Sequence, residues 1–244
     1  MKKILVIAGA LLALTAGMAS ATGVNLFWND CSPAGGGLGV QNQSNLCTAN
    51  TGAQTLIASI VTAGEVSQCV GVEGVIDLQT NQPALSSWWQ MRSPAGCRPT
   101  SASTGFAFGP SSCLDPWAGQ CLGGMDYAPG FGGPNRARIR SAGAQPISTA
   151  GPLDPNAEYY MFFIKIDRVK STGTGNCPGC LDAACFVLNS IKITQPTGNA
   201  GGDPTYSNAD QSQFATYNGA AGLAQCAATP TQNRTWGSVK SLYR

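Results

Sequence analysis

From Glu158 to Val169 the chain reads EYYMFFIKIDRV, with Tyr160, Phe162, Ile164 and Ile166 on one face and Lys165 and Asp167 on the other. Aromatic and branched residues repeating with period two mark a half-buried β-strand. The same period, more weakly drawn, predicts strands over Val24–Trp28, Leu56–Val61, Val70–Leu78, Ser87–Arg92, Thr104–Phe108, Arg136–Ser141 and Cys185–Thr194. Gly, Pro, Asn and Ser loops separate them, which is the punctuation of an all-β protein, a two-sheet sandwich of jelly-roll or Greek-key type. Helical spacing is confined to Thr235–Arg244, where Trp236, Val239 and Tyr243 would form one face of a short C-terminal helix.

Two segments break the strand pattern. Met1-Lys2-Lys3, an apolar run from Ile4 to Ala16 and the small residues Ala19-Ser20-Ala21 have the order of a signal peptide, so residues 1–21 are expected to be a cleaved export signal. The run is shorter than the roughly 20 residues of a membrane-spanning helix. Residues 196–222, rich in Gly, Ala, Asn and Ser, read as a loop or linker in which Tyr206, Phe214 and Tyr217 suggest docked parts. The expected organisation is therefore a signal peptide over 1–21, a sandwich domain over 22–195, the linker over 196–222 and a C-terminal segment over 223–244.

Composition narrows the chemistry. Charged residues are 11% of the 244, hydrophobic residues 43%, and there is no histidine. The missing histidine removes Ser-His-Asp triads, Cys-His pairs, HExxH sites and His-ligated metals together. Of 14 basic residues, Lys2 and Lys3 lie in the export signal, leaving 12 against 12 acidic ones. A charge-balanced chain gives no electrostatic reason to expect nucleic acid as a partner.

The ten cysteines are Cys31, Cys47, Cys69, Cys97, Cys113, Cys121, Cys177, Cys180, Cys185 and Cys226. An even count in an exported chain points to disulfides. Proximity in sequence suggests Cys31 with Cys47, Cys97 with Cys113, and a bridge inside the 177–185 cluster. Cys177-Pro178-Gly179-Cys180 with Cys185 also has the spacing of a redox pair or a partial zinc site, but it stands in a Gly-rich loop ahead of a strand, and structural bridges are the expectation.

Other candidate groups are sparser. Trp88 and Trp89 are adjacent, so in a strand one ring would face outward and, with Gln90 or Arg92, could stack on a sugar. Arg136, Arg138 and Arg140 would line one strand face and could grip a carboxylate or sulfate, or simply be solvated. Glu73 and Asp77, four apart on a strand, would stand about 13 Å apart, too far for paired glycosidase carboxylates. No cofactor is expected. Calcium is the one cation that loop oxygens from Asp30, Asp115, Asp126, Asp154 or Asp182 would suit, although no spaced calcium motif is present. Asn42-Gln43-Ser44 and Asn233-Arg234-Thr235 match the N-glycosylation pattern by chance in a chain whose leader looks bacterial.

Leu153, Pro155 and Tyr159 form a Leu-x-Pro-x-x-x-Tyr pattern that resembles the tyrosine corner of fibronectin type III and related sandwiches, which implies a tyrosine hydroxyl bonded to nearby backbone. VNLFWNDC (Val24–Cys31), GVEGVIDLQ (Gly71–Gln79), FGGPNRARI (Phe131–Ile139), EYYMFFIKI and TWGSVKSLYR resemble a group of uncharacterised secreted proteins from environmental bacteria. That resemblance implies export and a folded β domain, and nothing about substrate. The function expected is a noncatalytic extracellular or periplasmic surface, adhesion or structural module of unknown ligand, with a carbohydrate or another surface protein as candidate partners. The alternatives are a carbohydrate-binding module using an exposed Trp and a secreted hydrolase built on carboxylates.

Overall fold

The computed structural model describes residues 22–107, 112–199 and 201–219. The expected export signal, the Thr235–Arg244 helix and Cys226 lie outside them. The chain forms two sheets. The smaller has the order β1 (Gly23–Trp28), β3 (Ala53–Val61), β8 (Glu158–Asp167), β5 (Ala102–Gly105) and is antiparallel throughout. The larger runs β2 (Asn42–Gln43), β11 (Phe214–Tyr217), β9 (Ala184–Thr194), β4 (Gly71–Thr80), β7 (Arg136–Ala144), β6 (Leu122–Pro129), with β10 (Thr205–Tyr206) also paired to β9. Only the β2–β11 contact is parallel among the pairs of this sheet. The protein is a disulfide-reinforced all-β sandwich, with no helix among the described residues long and apolar enough to cross a membrane.

Alternation of side chains puts Leu26, Leu56, Ile60, Ile164 and Ile166 of the small sheet against Val72, Ile76, Leu78, Ile139, Phe186 and Ile191 of the large one. Gly74 matters to this contact, because a Cβ there would fall inside the Phe162 ring that crosses from β8. The outer face of the small sheet is covered as well. Ile57 and Tyr160 are buried there against Cys31 and Cys113, whose bridge pins the loops that follow β1 and precede β6. Burial on both faces is why β1 reads as an uninterrupted apolar run with no polar alternation beyond Asn25.

The tyrosine corner is present: the Asp154 N–H donates to the Tyr159 hydroxyl at 3.0 Å. Four expectations need correcting. Ser87–Trp89 is a 3-10 turn instead of a strand. The 196–222 stretch read as loop or linker supplies β10 and β11, and Tyr217 at the end of β11 is wholly buried. The bridges join Cys31 to Cys113, Cys47 to Cys180 and Cys97 to Cys177, in place of the sequence-near pairs. The sandwich brings together loops distant in sequence, so nearness along the chain is no guide. Cys185 is also disulfide-bonded, whereas Cys69 and Cys121, expected to be bridged, are buried free thiols.

Candidate functional site

The paired tryptophans do not form a ligand platform. With about three residues per turn, a 3-10 turn sends consecutive side chains roughly 120° apart, so both can turn to the same side, which a strand forbids. Trp88 and Trp89 are both 0% exposed and meet edge to face at 4.8 Å. Tyr217 lies 5.0 Å from Trp89, Phe186 5.9 Å from Trp89, and Trp28 5.4 Å from Phe186. A ring without solvent contact cannot stack on a sugar. Gln90 Nε2 donates to Leu85 O at 3.2 Å and Arg92 Nη1 to Ala102 O at 3.1 Å, so these two side chains brace loops.

Beneath this cluster lies Arg98, which sequence reasoning missed because one arginine in a Gly-Cys-Arg-Pro loop carries no pattern. It is 1% exposed, with Cζ 3.7 Å above the Trp88 ring. Nη1 donates to Trp88 O at 2.7 Å and Nη2 to Asp167 O. Burial pushes its pKa down to about 10, so it remains a cation at neutral pH, held by a ring face and carbonyl dipoles.

Two carboxylates do come close, and neither is Glu73 or Asp77. Asn25 Nδ2 donates to Glu158 Oε1 at 3.0 Å and to Asp210 Oδ2 at 2.9 Å, so those oxygens stand no farther apart than the two bonds end to end. That approaches the separation of about 5–5.5 Å used by retaining glycosidases. Glu158, however, also accepts Ser59 Oγ at 2.5 Å, Ser32 Oγ at 2.8 Å and the Ser32 N–H at 3.3 Å. Four donors occupy its acceptor positions in a setting where Asn25, Ser32 and Ser59 are buried. Three of these donors meet Oε1 and one, the Ser32 hydroxyl, meets Oε2, and the arrangement anchors β1, β3 and β8 to one another.

The loop aspartates are scattered and locally engaged. Asp30 accepts the Cys31, Leu38 and Ser112 N–H groups and the Ser112 hydroxyl; burial alone would raise its pKa, but these bonds outweigh it and hold the carboxyl below its ordinary value. Asp115 accepts the Trp117 N–H, Asp154 the Asn156 N–H, and Asp182 the Gln82 amide. No group of three metal-ligating side chains occurs among the described residues.

The arginine row is where the pattern placed it. Arg136, Arg138 and Arg140 lie on the solvent face of the large sheet, opposite Gln79, Asp77 and Val75 of β4. Arg138 grips Asp77 with two bonds of 2.7 and 2.8 Å, and its Cζ lies 3.9 Å above the Phe131 ring. Arg140 Nη2 meets Asp126 of β6 at 2.6 Å, and Lys192 of β9, opposite Glu73, meets Asp203 at 3.2 Å. Signs alternate across four strands, and Gly124, Ala142 and Ala144 keep the surface between them low and exposed. Among the described residues, this face carries no covering loop of the kind that seals the small sheet.

No family model and no curated protein matches the chain. Among solved structures, a cohesin module of a family 33 glycoside hydrolase from Clostridium perfringens is 8% identical, covers 81% of this chain and 94% of its own, and overlaps with a TM-score of 0.34. AvmM, described as catalysing macrocyclization in alchivemycin A biosynthesis, is 6% identical over 77% of this chain and 88% of its own, also at 0.34. Overlaps this loose bear on neither activity nor partner.

Proposed function

We infer that this is an exported, noncatalytic module that docks another protein on the solvent face of its large sheet. The observation that supports the reading is the asymmetry of the sandwich. The outer face of the small sheet is sealed by loops fastened through Cys31–Cys113, while no loop of the described residues covers the outer face of β6, β7 and β4. Its chemistry selects the kind of partner. A flat surface of alternating, already paired charges complements a mixed-charge protein surface and offers a polyanion no excess of cations. The Phe131 ring beside it is occupied by Arg138, which disfavours a sugar. Oxidised cysteines in the fold support an oxidising compartment.

A photo-crosslinking residue at Ala142, with a control at exposed Glu65, tests this on intact cells that export the chain. A discrete heavier adduct is expected from position 142 only. Adducts of equal pattern at both positions, or none at 142, would remove the docking reading. Hydrolysis of a polysaccharide panel that is abolished by Glu158→Gln would replace it with the carboxylate one.

A further inference from the structure

Cys69 and Cys121 are the two free thiols among the described residues. The ladder puts them at one place. Gly71 of β4 and Leu122 of β6 both stand opposite Ala144 of β7, so each cysteine lies just ahead of its strand, on either side of Gln145. Gln145 ties the two segments: Nε2 donates to Cys69 O at 2.8 Å and to Pro116 O at 3.2 Å, and its N–H to Val70 O at 2.8 Å. Between them β7 carries a glycine. A Cβ at Gly143 would meet the Phe106 ring at 2.6 Å and Cys121 Sγ at 2.8 Å, so that sulfur lies over β7 beside the ring, and Cys69 is buried in the same core cluster.

We propose that Cys69 and Cys121 are closed into a disulfide while the chain folds, before β7 is packed between them. The oxidant is a small or protein-borne disulfide. One cysteine thiolate attacks it, forming a mixed disulfide and releasing one thiol; the second cysteine, having lost its proton, attacks the mixed disulfide and releases the other. The pair gives up two protons and two electrons, and the oxidant's sulfurs receive them.

The timing follows from burial. Thiolate is the attacking species, and in the folded protein burial pushes both thiols up to about 12. Both thiols are buried, which disfavours the thiolate and keeps a disulfide oxidant from reaching them, so a protein folded with this pair reduced is expected to stay reduced. The bridge forms early or not at all.

The test is refolding of the denatured, fully reduced protein in a mixture of oxidised and reduced glutathione, followed by alkylation in denaturant and peptide mass mapping. A crosslinked peptide pair containing Cys69 and Cys121 is expected beside the Cys31–Cys113, Cys47–Cys180 and Cys97–Cys177 pairs. The same glutathione mixture, added to protein already folded with this pair reduced, should leave both cysteines open to alkylation after unfolding. Cys121→Ser refolded in the same way should show a new alkylatable thiol at Cys69. Molecules that have formed the Cys31–Cys113, Cys47–Cys180 and Cys97–Cys177 bridges yet carry alkyl label on both Cys69 and Cys121 would overturn the proposal, as would a Cys69 that stays unlabelled in Cys121→Ser. Because this experiment supplies its own oxidant, its failure leaves the docking reading untouched.

Discussion

Single residues carry unequal shares of this fold. Trp89 sits among Trp88, Phe186 and Tyr217, and Trp89→Ala should cost about 3–5 kcal/mol in denaturant unfolding, the usual loss for a large aromatic deleted from a packed interior. Glycan arrays should be indifferent to the change. Asp30 gives a signed pH effect. Its folded pKa lies below the unfolded value of about 3.9, so its bonds stabilise the fold above that pH and lose their effect as pH falls through the folded value. Asp30→Asn should therefore flatten the acid limb of stability against pH, measured as denaturant midpoints from pH 2 to pH 6, with the wild type falling more steeply below pH 4. What was legible at this scale was chemistry without address. The tyrosine corner could be read because Leu153, Pro155 and Tyr159 are local to one another. The partners of Glu158 could not, since Asn25, Ser32 and Ser59 are 133, 126 and 99 residues away.

At the scale of elements, period two in the sequence recovered the strands that have one wet and one dry face. β7 is the clear case, with Ala137, Ile139 and Ser141 inward and the three arginines outward. β6 escaped notice because LGGMDYAP buries only Tyr127, and what makes it a strand is its pairing along β7. β11 escaped because four residues between Gln213 and Asn218 say little until β9 lies beside them. Gly74 shows how tightly the two sheets are matched. Gly74→Val should displace the Phe162 ring and cost about 1–3 kcal/mol, checked by thermal and denaturant unfolding. Arg138→Ala, by contrast, removes a partly exposed pair and should change stability by no more than about 1 kcal/mol, so loss of crosslinking at Ala142 in that variant would report on docking and not on folding.

Across the whole molecule, the bridges span 82, 133 and 80 residues. Removing Cys47–Cys180 as the double alanine variant should cost about 2–5 kcal/mol, read from the denaturant midpoint. These spans also set the order in which a growing chain can be fastened. Emerging from its N-terminus, the chain presents Cys47 as the first thiol that Cys31 can reach, while the correct partner of Cys31 follows 66 residues later and that of Cys47 later still. The earliest bond available is thus a wrong one, and it must be undone before the small sheet can be sealed. A cell making this protein therefore needs a disulfide-reshuffling catalyst as well as an oxidant, and without one should accumulate molecules locked at Cys31–Cys47.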